Sequence, residues 1–170
     1  TVLVGLPIGL DDCAHILKLL ASTLIKFKGK NVQFWIKPHP TYGPESIKVL
    51  LPEKWPQEFV FQKGDFHAVV ERCNLLVSNA SSVTLEALAK GVPVIIVSPQ
   101  NGVVQNPIPQ AISNEAWSIV YNSVELENEI LGFKELTSAR QDLFDQLSID
   151  VRETFFNQVS RKNVQDFLEI

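Results

Sequence analysis

The residues in this sequence best placed to do chemistry are the hydroxyl side chains of a short turn, Ser81, Ser82 and Thr84. The turn follows an apolar, strand-like run at 74–77 and opens a helical pattern that Gly91 ends. Helix N-termini bind anions through their free N–H groups and the helix dipole. The turn therefore predicts a phosphate site at Ser81 and Ser82, with Thr84 beside them. The alternative is that a serine here is only a helix N-cap, where serine is common.

The other helix starts in the sequence are less suited to an anion. The helix predicted after Gly9 opens with acids at 11–12, and the helix predicted after Gly64 opens with Asp65. An acid at a helix start caps the helix and repels a second negative charge. On the helix at the serine turn the first carboxylate is Glu86, which we expect to lie a full turn inside. This helix start is therefore the predicted anion site.

A histidine held between two prolines is the second candidate. His39 lies in the stretch KPHP at 37–40, directly after an apolar strand predicted at 31–36. The prolines restrict the backbone on both sides of the ring. Imidazole donates hydrogen bonds to phosphate and titrates near neutrality, which suits it to a leaving group. We therefore predict His39 as the catalytic residue and Lys37 as an added positive charge. The alternative for Lys37 is a solvated strand end.

Glu86 completes the predicted set of functional residues. One helical turn from the serine turn, its carboxylate has the reach to bind vicinal ribose hydroxyls, as acidic residues do in dinucleotide sites. The alternative is a solvated helix position. His15 and His67 lie in or near helical patterns, and we assign them no role. The sequence contains no CxxC, HExxH, Walker lysine loop or complete GxGxxG, so we expect no metal and no cofactor.

Alternating strands and helices must position these side chains. Apolar, β-branched strands separated by helices are typical of an α/β fold, a Rossmann-like, doubly wound, mostly parallel sheet of five to six strands with helices on both faces and C-terminal helices. Ligands of such sheets bind at the carboxyl ends of the strands. The long loop at 98–109 is predicted to be a binding loop. Strands are predicted at 2–6, 31–36, 58–62, 74–77, 93–97 and 119–121, and the later helices at 124–131, 136–147 and 151–168.

Composition and charge limit the classes of function. With 170 residues, 45% hydrophobic and 20% charged, the chain can bury one core, and we expect a single domain over residues 1–170. A formal net charge of -4 without a basic run argues against nucleic acid as a partner. No apolar run approaches the roughly 18 residues of a transmembrane helix. Reduced Cys13 and Cys73 indicate a cytoplasmic protein, with peripheral association at the inner face of the cell membrane left open. The absence of methionine and the start at Thr1, directly before the strand predicted at 2–6, lead us to expect a piece of a longer protein.

Two motifs together resemble a known family. KPHP at 37–40, followed by SNASSVTLEALAKGVPVII at 78–96, is similar to the C-terminal, donor-binding half of GT-B glycosyltransferases. The likeness, over about residues 2–120, is greatest to the bacterial surface and capsular polysaccharide branch with sialyltransferases, Kdo transferases and CDP-glycerol glycerophosphotransferases. In that family an HP motif and a Ser-Ser pair hold the phosphate of a cytidine-activated donor. The resemblance implies that His39 with the serine pair binds phosphate and that Glu86 binds ribose.

The resemblance also implies a function for the whole protein. It implies a glycosyltransferase of surface polysaccharide biosynthesis, such as capsule or lipopolysaccharide, that uses a nucleotide-activated sugar of CMP or CDP type rather than UDP. A missing N-terminal domain would bind the acceptor, a glycan or lipid-linked acceptor, and would carry the catalytic base. The fragment alone would be inactive.

Two other interpretations stay open from the sequence. The first is an enzyme related to UDP-GlcNAc 2-epimerases, or a hydrolase of similar fold. Those epimerases carry Ser-Gly-Gly and paired glutamates where this chain has Ser81-Ser82 and Leu85-Glu86. The second is a non-catalytic scaffold domain of a polysaccharide assembly complex. Its docking face would consist of four apolar residues in the last predicted helix, Val151, Phe155, Val159 and Phe167.

Overall fold

A computed structural model of the chain describes residues 1–51, 54–100, 106–110, 112–134 and 138–156. These residues form a six-stranded, all-parallel sheet with the order β3-β2-β1-β4-β5-β6. The strands are β1 (Val2–Gly5), β2 (Phe34–Lys37), β3 (Phe59–Phe61), β4 (Leu75–Ser78), β5 (Val94–Val97) and β6 (Trp117–Val120). The helices are α1 (Leu10–Phe27), α2 (Pro44–Lys48), α3 (Phe66–Val70), α4 (Val83–Leu88), α5 (Ser123–Lys134) and α6 (Ser138–Phe155). The predicted α/β, Rossmann-like sheet is confirmed.

Three adjacent inner strands are buried along their whole length. Every residue of β1, β4 and β5 is buried, in the segments VLVG, LLVS and VIIV. Strands buried on both faces of a parallel sheet read as continuous apolar runs because both faces are covered. The predicted edge strand near residue 119 is confirmed as β6, at one end of the sheet. The core therefore lies around β1, β4 and β5.

The strand order reverses at the middle of the sheet, between β1 and β4. From β1 the chain moves outward to β2 and β3, returns to β4 on the other side of β1, and continues to β5 and β6. Loops that leave two neighbouring strands in opposite directions open a crevice at their carboxyl ends. The topology thus places a cleft beside the loops that follow β1 and β4.

Three sequence predictions about helices are wrong. Gly9, and no acidic side chain, is the N-cap of α1, and the acids at 11–12 lie inside its first turn. Helix α6 runs unbroken to Phe155, so the predicted interruption between residues 147 and 151 does not form. Glu86 lies in the first turn of α4, because that helix begins at Val83 and not at the serines.

The proposed scaffold face is only partly described. Val151 is buried and Phe155 is 38% exposed, so these two side chains do not form one exposed face. Val159 and Phe167 lie outside the described residues, as does the end of the helix predicted to reach residue 168. The single domain over residues 1–170 stays a prediction.

Two further observations concern the turn after α4 and the length of the helices. Gly91 turns the chain from α4 into β5 with φ of 72°, a left-handed conformation that favours glycine. None of the helices in the described ranges is both long enough and apolar enough to cross a bilayer.

Candidate functional site

A cleft of about 410 Å³ opens at the carboxyl edge of the sheet, where the strand order reverses. Four loops line it: residues 5–8 after β1, 37–40 after β2, 64–66 before α3, and 78–81 after β4, together with Val83. Its volume lies within the range of about 300–1,000 Å³ of small-molecule sites. Both motifs singled out in the sequence therefore meet in one cavity.

Strand register brings the two motifs together. Gly5 at the end of β1 is aligned with Lys37 at the end of β2 and with Ser78 at the end of β4. The Ser78 hydroxyl donates to the Gly5 carbonyl at 2.8 Å. The Tyr42 hydroxyl donates to the Ile8 carbonyl, also at 2.8 Å, and joins the loops after β1 and β2. Hydrogen bonds therefore join the end of β4 to the end of β1 and the loop after β2 to the loop after β1.

His39 lines the cleft, and its ring contacts Thr41 through Nδ1. The Thr41 backbone N–H donates to His39 Nδ1 at 3.3 Å, and the Thr41 hydroxyl oxygen lies 2.8 Å from the same nitrogen. A backbone N–H can only donate, so Nδ1 is the acceptor and the neutral ring carries its proton on Nε2. This tautomer leaves Nε2–H available as a hydrogen-bond donor.

The serine turn divides between the cleft and the helix. Ser81 lines the cleft, whereas Ser82 is exposed, does not line it, and makes no side-chain cap to α4. Thr84 is buried, and its hydroxyl donates to the Ser81 carbonyl at 2.6 Å. Thr84 therefore stabilises the turn and does not line the cavity. Of the predicted site residues, Lys37, His39 and Ser81 are brought together.

Glu86 lies beside the cleft and not in its wall. Its Oε2 atom is 3.6 Å from Nε2 of His67, a residue to which the sequence assigned no role. Asp65 accepts a hydrogen bond from the His67 backbone N–H at 3.0 Å and is the N-cap of α3, as predicted. The start of α3 therefore carries an acid that is already occupied, at the rim of the cleft.

Several cleft residues were assigned no ligand role from the sequence. Asn79, Asp65 and Phe66 line the cavity, as does the exposed side chain of Ile8. Each of these residues lies just after a strand or just before a helix at the carboxyl edge, and that position was the only sequence feature that could have indicated it. Residue type alone does not separate these cleft residues from other loop residues.

The predicted binding loop at 98–109 begins after β5, the strand next to β4 on the side away from β1. Its described beginning contacts α1: His15 Nε2 lies 3.1 Å from the Ser98 carbonyl, and the Gln100 side chain lies 3.5 Å from His15 Nδ1. Neither Ser98 nor Gln100 lines the cleft. Residues 101–105 lie outside the described ranges, so a binding role for this loop stays a prediction.

Both cysteines are buried thiols without a catalytic setting. Burial, followed by the charge of Asp12, raises the pKa of Cys13 to about 11, and burial raises the pKa of Cys73 to about 11. Cys13 donates through its thiol to the Pro7 carbonyl at 3.1 Å and so supports the loop after β1. In the described part of the chain, three or more His, Cys, Asp or Glu side chains nowhere converge as metal ligands would. Independence of metals stays a prediction.

Solved structures share this fold at low sequence identity. The UDP-GlcNAc 2-epimerase of Methanocaldococcus jannaschii, in complex with UDP-GlcNAc and UDP, matches 80% of this chain with a TM-score of 0.60 and 14% identity. The glycotransferase of kitacinnamycin matches 98% with a TM-score of 0.64 and 12% identity. The wall teichoic acid polymerase TagF, soaked with CDPG, matches 99% with a TM-score of 0.59 and 13% identity. No protein-family model and no curated protein matches the sequence.

The chain spans only part of each of these proteins. The matches cover 39% of the epimerase, 42% of the glycotransferase and 40% of the polymerase. The likenesses confirm the Rossmann-like α/β fold that the sequence predicted. They include the glycotransferase of kitacinnamycin, whose class is the one that the two sequence motifs resemble.

Proposed function

We propose that this chain is the donor-binding half of a glycosyltransferase. It binds a nucleotide-activated sugar, of CMP or CDP type in preference to UDP, for transfer to an acceptor hydroxyl. The observation that supports this proposal is the convergence of Lys37, His39 and Ser81 on one cleft at the switch point of the sheet. These side chains offer a positive charge, an Nε2–H donor and a hydroxyl, which together suit a phosphate.

The same groups suit the chemistry of an inverting transfer. As the acceptor hydroxyl attacks the donor's anomeric carbon, the bond from that carbon to the phosphate oxygen breaks and negative charge develops on the phosphate. Donors held in position before the reaction stabilise such charge. His39, oriented through Nδ1 by Thr41, and Ser81 would stabilise the departing phosphate. The base that takes the acceptor's proton would lie elsewhere in a longer protein.

The finer parts of the proposal rest on the resemblance and on one neighbour. A cytidine donor is supported by the HP and Ser-Ser motifs and by the CDPG soaked into TagF. A role in surface polysaccharide synthesis, a glycan or lipid-linked acceptor, and a cytoplasmic site at the inner face of the membrane follow from the same resemblance. For the ribose, we propose Glu86, whose carboxylate would exchange the His67 imidazole for the sugar hydroxyls.

A titration of CMP, CDP and UDP into the 170-residue chain tests the proposal. NMR chemical shifts followed to millimolar concentrations should show binding of CMP and CDP, with UDP weaker. If no nucleotide binds at millimolar concentration, and a longer two-domain protein also fails to bind, the proposed function is wrong.

Substitution of His39 tests its role within that site. His39→Ala should weaken CMP by about tenfold or more, because a hydrogen bond to a charged group is lost, and should leave cytidine unchanged. His39→Gln, which retains an N–H donor, should recover part of the loss. Lys37→Ala should weaken CMP as well, whereas Lys18→Ala, on the exposed face of α1, is the matched control. An equal loss for CMP and cytidine would show that His39 only shapes the loop.

A sugar-nucleotide epimerase is the second candidate, favoured by the structural likeness to the UDP-GlcNAc 2-epimerase. The two candidates differ in their need for an acceptor. Incubation of the longer protein with UDP-GlcNAc alone should leave the sugar unchanged if the chain belongs to a transferase. Epimerised sugar without any acceptor would establish the second candidate.

A further inference from the structure

Two buried side-chain oxygen atoms in the described part of the chain lack a hydrogen-bond partner, Asn79 Oδ1 and Ser118 Oγ. An unpaired polar atom inside a protein costs free energy, and native proteins contain few of them. The two atoms differ in position. Asn79 belongs to the wall of the cleft, whereas Ser118 lies in the edge strand β6 and does not line it. Only the first atom lies where a ligand could change its surroundings.

Neither the backbone conformation nor a local side-chain turn accounts for an asparagine at position 79. The backbone at Asn79 is not left-handed, because among the described non-glycine residues a positive φ occurs at Asn31 alone. The amide oxygen also does not form the local turn that asparagines commonly make. By contrast, Asn106 and Asn122 each accept a backbone N–H from two residues further on, at 3.0 Å.

Asn79 directly follows β4, at the point where the strand order of the sheet reverses. It follows Ser78, whose hydroxyl is already bonded to the Gly5 carbonyl, and it precedes Ser81 by two residues. Ser81 and Asn79 both line the cleft. A ligand with its phosphate at Ser81 would therefore place the groups next to that phosphate within reach of Asn79.

The chemistry of the amide selects among those groups. Oδ1 can only accept a hydrogen bond, and an ionised phosphate oxygen can only accept one too. The partner of Oδ1 must therefore be a donor, and a hydroxyl group is one that can also accept from the amide nitrogen. The terminal torsion of asparagine has a broad energy minimum, so the amide can turn its buried oxygen toward the cleft at small cost.

We propose that Asn79 binds a hydroxyl group flanking the donor phosphate, on the transferred sugar or polyol or on the ribose. This inference rests on the proposed function, because it takes the phosphate to lie at Ser81. It makes Asn79 a specificity-determining residue whose side-chain oxygen is unpaired in the free protein and paired when the ligand is bound.

The test compares Asn79→Ala with Ser118→Ala in the 170-residue chain. Each substitution removes an unpaired oxygen, so each should leave the thermal midpoint unchanged or raise it by up to about 4 °C. Dissociation constants for CDP-glycerol, CDP and 2′,3′-dideoxy-CDP are then measured by NMR titration. Asn79→Ala should weaken at least one hydroxyl-bearing ligand by about three- to tenfold, and Ser118→Ala should weaken none.

The pattern of losses identifies the hydroxyl. A loss confined to CDP-glycerol assigns it to the transferred group, whereas a loss with CDP and CDP-glycerol but not with the dideoxy nucleotide assigns it to the ribose. Equal losses for all three ligands, or none above twofold, would overturn the inference while the proposed function stands. A lower thermal midpoint for Asn79→Ala alone would also overturn it, because the amide would then be paired in solution. If neither the unsubstituted chain nor a longer two-domain protein binds a nucleotide, the proposed function itself fails, and the inference with it.

Discussion

Nε2 of His67 lies 3.6 Å from Oε2 of Glu86, so a contact between these side chains links α3 to α4 beside the cleft. The His67 side chain is 57% exposed and that of Glu86 is 25% exposed. Pairs this open to solvent contribute little to stability. The importance of the contact is therefore positional, because it occupies the carboxylate that we propose for ribose binding.

Exchange of this contact for ribose can be measured directly. Glu86→Gln keeps a hydrogen-bond acceptor but removes the charge, so it should weaken CMP by about three- to tenfold, the difference between a charge-assisted and a neutral hydrogen bond, and leave 2′,3′-dideoxy-CMP unchanged. His67→Ala frees the carboxylate and should strengthen CMP modestly. The measurement is an NMR titration of each variant with both nucleotides. If Glu86→Gln changes CMP binding by less than twofold, Glu86 is an ordinary helix-surface residue.

Thr41 should control binding through the orientation of His39. Thr41→Val removes the hydroxyl that lies 2.8 Å from His39 Nδ1, and we expect CMP to bind about three- to tenfold more weakly, the range for loss of one neutral hydrogen bond. Thr41→Ser keeps the hydroxyl and should bind CMP as the unsubstituted chain does. Cytidine should not distinguish the three proteins. An equally weak Thr41→Ser variant would mean that the methyl group, and not the hydroxyl, positions the ring.

Asp65 should have opposite effects on stability and on anion binding. Asp65→Ala removes the N-cap of α3 and should lower the free energy of unfolding by about 1 kcal/mol, read from urea denaturation. The same change removes a negative charge from the rim of the cleft and should strengthen CMP binding. Asp65→Asn can still cap the helix, so it should strengthen binding without the stability loss. Weaker CMP binding in both variants would show that the carboxylate contacts the ligand.

The two thiols should resist alkylation in the folded chain. With the pKa of Cys13 and of Cys73 raised from 9.0 to about 11, the thiolate fraction at pH 8 is about 100-fold below that of a free cysteine, since each unit of pKa is a factor of ten. Iodoacetamide should therefore react about 100-fold more slowly with the native chain than with the chain in urea. Comparable rates in the two conditions would show that the thiols are exposed by local opening.

The same shifts determine how stability depends on pH. The folded-state pKa lies above that of the unfolded chain, so the thiols' contribution is complete below about pH 9 and is lost as the pH rises toward 11. Urea midpoints measured from pH 8 to pH 10.5 should fall, and a Cys13→Ala, Cys73→Ala double variant should fall less steeply. Parallel slopes for the two proteins would contradict the assigned cause.

Much of the fold could be predicted because its signals are local. The apolar runs of β1, β4 and β5 stand out in the sequence since both faces of these strands are buried. Boundaries failed where tertiary packing overrode a local signal. Helix α6 continues through residues 148–150, where Ser148 is buried and its hydroxyl donates to the Asp145 carbonyl.

The site could be predicted only in part, for a similar reason. His39 and Ser81 follow strands that are neighbours of β1 on opposite sides, so a correct sheet was enough to bring them to one edge. Thr84 and Glu86 also lie in the segment that follows β4. However, the Thr84 hydroxyl donates to the Ser81 carbonyl, and the Glu86 carboxylate contacts His67. Residue type and spacing carry no information about such contacts.

The sequence by itself determined the order of strands and helices, the parallel sheet and the two loops that carry the candidate phosphate ligands. These follow from apolar periodicity and from turn residues, which act over a few positions in the chain. Only the tertiary structure decided which side chains of those loops face the cleft, that Glu86 is engaged by His67, and that Asn79 keeps an unpaired oxygen there. These depend on distances between segments far apart in the chain, which are set when the helices pack on the sheet.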